Sequence, residues 1–109
     1  MRWQVRASGD FWDTLKPLRE SYGHDQMVTI VLTIKECIEE LAEKGYVDVN
    51  GWADHILVRR PYADGCHFEF HIHDDDVLVV YFKVERKRRI RMVGVFTHET
   101  IPTERFMTH

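Results

Sequence analysis

Residues Val77 to Val84 read VLVVYFKV, and a run so nearly all apolar belongs at the centre of a sheet. The segments on either side also carry strand patterns. His67 to His73 alternates, with Phe68, Phe70 and Ile72 on one face and His67, Glu69, His71 and His73 on the other. Ile90 to Phe96 follows a basic turn, and short links of this kind favour antiparallel neighbours. Upstream lies one clear helix. Met27, Ile30, Val31, Ile34, Ile38, Leu41 and Ala42 recur at helical spacing, and Lys35, Glu36, Glu39, Glu40 and Glu43 take the opposite face. Such a stripe needs a sheet to pack on. Asp25 is a candidate cap, and Gly45 a natural stop.

The remaining chain completes the pattern. Trp3, Val5 and Ala7 alternate with polar residues as a short first strand. Ser8 or Asp10 can cap a first helix bearing Phe11, Leu15 and Leu18, which Pro17 shortens or bends. Tyr46 to Asp64 has no sustained period and reads as a loop region with one turn of helix around Asp54. The expected order is β-α-α-β-β-β: an α+β fold with two helices on one face of a small antiparallel sheet. A chain of 109 residues with ordinary composition is expected to form a single domain spanning 1–109. Cys37 and Cys66 sit in contexts that do not suggest a bridge, which fits a reducing, cytoplasmic setting. The first residues lack a signal-peptide core, and no apolar stretch is long enough to span a membrane.

The polar face of the 67–73 strand sets the chemistry. His67, His71 and His73 precede Asp74, Asp75 and Asp76, and His55 and His98 flank the block. If the strands that carry them pair, these groups converge on one open, polar sheet face. Imidazoles beside carboxylates move protons near neutral pH or bind metals. The metal pattern is incomplete: His71-x-His73 lacks the bracketing glycines of strand-borne metal sites, and no C-x-x-C or H-E-x-x-H occurs. Cys66 and His67 are adjacent on a strand, so they face opposite ways and make no nucleophile pair. Metal-free cleavage of RNA asks only for a base at the 2′-hydroxyl, an acid at the leaving 5′-oxygen and a cation near phosphorus. The net charge is −3, yet Lys83, Arg86, Lys87, Arg88, Arg89 and Arg91 fall within nine residues opposed only by Glu85. That patch can grip phosphates, or simply keep a hairpin tip soluble.

With these motifs in order, the chain resembles the RelE/ParE superfamily of bacterial toxins, and within it the YafQ-like mRNA interferases. The resemblance rests on Ser8-Gly9-Asp10-Phe11, His24-Asp25-Gln26-Met27, Asp54-His55 with Leu57, Glu69-Phe70-His71-Ile72, Asp76 to Tyr81, and Phe96-Thr97-His98. It covers nearly the whole chain. It implies a toxin that enters the ribosomal A site and cuts mRNA by 2′-hydroxyl attack, needs no cofactor or metal, and is inhibited by a cognate antitoxin. His55, His71, Asp76 and His98 would be the catalytic set: His71 or His55 as base, His98 as acid, Asp76 orienting an imidazole. Lys83, Arg86, Lys87, Arg88, Arg89 and Arg91 would contact RNA. Val77 stands where the family has tryptophan, and Pro102 where it has a base-stacking aromatic. One extra residue separates His71 from Asp76, so His73 and Asp75 are alternates for their neighbours' roles. Two other readings are a ParE-like toxin that binds a protein such as gyrase, and a small metal-binding β protein.

Overall fold

The computed structural model describes residues 2–73 and 76–102. Among them, five strands form one sheet in the order β1-β5-β4-β3-β2, from β1 (Gln4–Arg6), β2 (Trp52–Ile56), β3 (His67–Ile72), β4 (Val77–Val84) and β5 (Arg89–Phe96). The apolar run is the central strand as expected, and Val77 to Tyr81 are fully buried. Helices α1 (Gly9–Asp13) and α2 (His24–Lys44), with a 3-10 turn at Lys16–Glu20, cover one face and carry the chain from the β1 edge to the β2 edge. The α+β architecture is therefore as the sequence predicts, with two corrections. The 46–64 region contains a strand, β2, rather than a turn of helix around Asp54. The sheet is mixed, because β1 runs parallel to β5 while the other pairings are antiparallel.

The helix boundaries follow from local chemistry. Ser8 Oγ accepts the Phe11 N–H at 3.4 Å, so Ser8 caps α1. Pro17 sits where the chain tightens into the 3-10 turn. The cap of α2 is Gly23, not Asp25: Gly23 N–H donates to the Gln26 side chain at 3.1 Å and its carbonyl accepts from Met27. Gly45 ends the helix at φ 82°, and a Cβ there would run into the Trp3 indole.

The stripe on α2 buries Ile30, Ile34 and Leu41 against Phe70, Ile72, Val79 and Tyr81 of the sheet. Each such aliphatic side chain contributes roughly 1.5–3 kcal/mol on burial. The other face is not the open polar surface that alternation predicts. Leu78, Val80, Leu57, Tyr62 and Ile101 form a second apolar cluster there, brought together by the segments after β2 and β5. The histidine row lies beside that cluster. Among the described residues, no helix is long and apolar enough to cross a membrane.

Candidate active site

A bulge decides which side chains β2 presents to the site. Trp52 pairs with His71, but the register then slips so that His55 pairs with Glu69. Uninterrupted pairing from Trp52 would set His55 opposite Phe68, on the helix side of the sheet. The extra residue turns it onto the face of Glu69 and His71. Ala53, inside the bulge, takes a left-handed φ of 55°. Two anchors hold this strand. Asp54 accepts the Tyr81 hydroxyl at 2.8 Å and the Val47 N–H at 2.7 Å. Burial raises the Asp54 carboxyl above its usual range despite these donors, and burial with the nearby Asp54 charge raises the Tyr81 phenol. Upstream, the buried Glu40 accepts the N–H groups of Asp48, Val49 and Asn50 at 2.6, 2.9 and 3.0 Å, and the Lys44 ammonium at 3.1 Å. Those donors hold its carboxyl well below the usual range against the opposing effect of burial.

The histidines then form a row across the sheet. His55 and His71 ring centres are 6.3 Å apart, and His71 and His98 are 6.2 Å apart. His98 follows β5 in a turn where Thr97 Oγ1 accepts the N–H groups of Glu99 and Thr100. Asp76 accepts the backbone N–H of His98 at 3.1 Å, so it fixes the turn that carries the imidazole. The four residues singled out in the sequence, His55, His71, Asp76 and His98, are thus brought together.

His73 is not on this face. It leaves β3 at φ 61° and sets its ring edge-on to Tyr22 at 5.4 Å, on the helix side. Asp75 lies outside the described residues. His67 is on the correct face but held elsewhere: its Nδ1 meets both Asp64 oxygens at 2.9 and 3.0 Å, between Tyr62 and Phe82. The Asp64 carboxyl is lowered chiefly by that contact.

Two further residues lie along the row: Glu69, which the sequence placed on the histidine face without a role, and Trp52, which it did not mark. Glu69 is buried between His67 and His71. Its signal was there in the alternation, which sets it on the histidine face. Trp52 is 43% exposed and opposite His71, so an aromatic surface is present although Pro102 supplies none.

The basic residues divide. Lys83 turns inward, donating to the Gly45 carbonyl at 2.7 Å over the Phe68 ring. Arg86, Lys87, Arg88, Arg89 and Arg91 are exposed at the hairpin tip and along β5. Arg91 lies over Phe82, and in the β1–β5 register it pairs with Arg6, which adds a cation to this edge. Together with Gln4 and Arg89 they line a groove of about 620 Å³. Among the described residues, no three His, Cys, Asp or Glu side chains are grouped so as to hold a metal ion. Burial pushes the Cys37 thiol up to about 12, which makes it inert.

No family model and no curated protein matches the sequence. Solved structures do match the fold. The Escherichia coli YafQ toxin, in its complex with DinJ, superposes with a TM-score of 0.65 at 14% identity, over 93% of this chain and 98% of that one. A metal-bound toxin from Helicobacter pylori and a copper-bound mutant toxin from the same organism each give 0.52 at 18% identity, over 94% of this chain and 100% of theirs. The chain shares its fold with the YafQ toxin, as the motif order led us to expect.

Proposed function

We propose that this chain is the toxin of a toxin–antitoxin pair and acts as a metal-free endoribonuclease on mRNA at the ribosome. The observation that carries this reading is the row of three imidazoles, His55, His71 and His98, at 6.3 and 6.2 Å on one sheet face. A base in the row takes the proton of a 2′-hydroxyl, whose oxygen attacks the adjacent phosphorus. The 5′-oxygen leaves with a proton from an acid, giving a 2′,3′-cyclic phosphate and a 5′-hydroxyl. His98 is the acid in this reading, and Asp76 sets its turn. Arg86, Lys87, Arg88, Arg89 and Arg91 supply the phosphate grip, with Arg6 added. Lys83, held by Gly45, contributes to packing instead. The likeness to YafQ in complex with DinJ supports an antitoxin partner.

The metal-bound Helicobacter toxin motivates a second reading, in which the same histidines hold a metal. Inducible expression in bacteria separates the two. The nuclease reading expects growth arrest that His71→Ala and His98→Ala each abolish, and purified protein without stoichiometric metal. Stoichiometric zinc or copper, lost together with His71 and His98, would favour the second reading. Arrest with intact mRNA would instead indicate a toxin that acts by binding a protein.

A further inference from the structure

Glu69 is the group that this reaction leaves unused. It is 5% exposed, and among the described residues its Oε2 is buried without a hydrogen-bond partner. Val80 lies opposite on β4, and His55 opposite on β2. A buried carboxylate short of donors weakens a fold, so its presence calls for a reason outside stability.

That reason is found at His55. Its Nδ1 lies 2.6 Å from the Ala53 carbonyl, which can only accept, so Nδ1 carries a proton. Its Nε2 lies 3.5 Å from Glu69 Oε1. A bare Nε2 would point its lone pair at a carboxylate, whereas a protonated one forms an ion pair. Asp54, the adjacent carboxylate, is bonded to Tyr81 and Val47. With Nδ1 donating to Ala53 and Nε2 protonated toward Glu69 at ion-pair distance, His55 would have no lone pair left to accept a proton from a 2′-hydroxyl.

We propose that Glu69 is a positioning residue which, with the Ala53 carbonyl, holds His55 as a fixed cation beside His71. His55 then stabilises negative charge gathering at phosphorus, and the base is His71. This rests on the nuclease reading for the roles of His55 and His71, while the Glu69–His55 pair can be tested without it.

Nitrogen-resolved NMR of the imidazoles in the purified protein at pH 7 tests the pair. Wild type should show His55 protonated on both nitrogens, and Glu69→Gln should show it protonated on Nδ1 alone. A bare Nε2 in wild type overturns the proposal. So does a Glu69→Gln spectrum identical to wild type. The wild-type spectrum decides even if the variant does not fold, although Glu69→Gln should melt at or above the wild-type temperature because it removes a buried charge. The cleavage assay tests the role. His55→Gln should lose about 100-fold in rate, as for removal of one electrostatic stabiliser, whereas His55→Lys should stay within about tenfold of wild type. Equal loss in both variants overturns the cation role. A wild-type chain that cuts no RNA refutes the nuclease reading, and the NMR result still stands or falls by itself.

Discussion

At the scale of single residues, the site combines groups of unequal duty. His71 and His98 are the proposed proton-transferring members, and positioned acid–base groups typically contribute about 10²–10⁴-fold in rate. Replacing either with alanine should therefore cost about that much in an mRNA cleavage assay while leaving the melting temperature nearly unchanged. Glu40 is the opposite case, a carboxylate with a structural task. Its folded-state value is depressed below the ordinary 4.5, so the stability it adds is present above about pH 4.5 and is lost as the pH falls below it. Denaturant titrations of wild type and Glu40→Gln should differ at pH 7 and converge in acid. The candidate catalytic residues were readable from the sequence because spacing and motif order mark them. Glu69 was harder to assign, since a glutamate on an alternating strand looks solvent-facing. Only the pairing with Val80 and His55 reveals that its neighbourhood is buried.

At the scale of elements, β2 decides the shape of the site. Its sequence, WADHI, alternates poorly and follows a segment without period, so nothing local announces a strand. Nor does the bulge announce itself, because its left-handed residue is Ala53 rather than glycine. Yet the bulge is what turns His55 to the site. Ala53→Gly should keep cleavage and match or exceed wild-type stability, since it relieves a strained φ. Ala53→Val should cost roughly 1–2 kcal/mol in chemical denaturation and lower cleavage as the register slips. Tyr81→Phe removes a donor from the half-buried Asp54 carboxylate and should destabilise by about 1–3 kcal/mol. By contrast α2 and β4 were legible outright, because their periods of 3.6 and unbroken apolarity admit few other folds. The parallel placement of β1 was not legible, since a three-residue strand carries no mark of its partner.

At the scale of the whole molecule, a chain of net charge −3 gathers a cluster of exposed cations around the β4–β5 hairpin, with Arg91 over Phe82 and Arg88 over Trp3. Phosphate binding there should be steeply salt-dependent. Arg86→Glu combined with Lys87→Glu should weaken ribosome binding and flatten its salt dependence by about one unit of log–log slope for each phosphate no longer neutralised. Among the described residues the helices cover the far face, so the row lies on the side opposite α2. Mapping mRNA 5′ ends after induced expression decides whether the chain cuts RNA. Metal-free cleavage at the histidine row predicts new ends bearing 5′-hydroxyls, in frame with translated codons, that vanish in His98→Ala. Intact mRNA during growth arrest, or cuts that persist in His98→Ala, would contradict it.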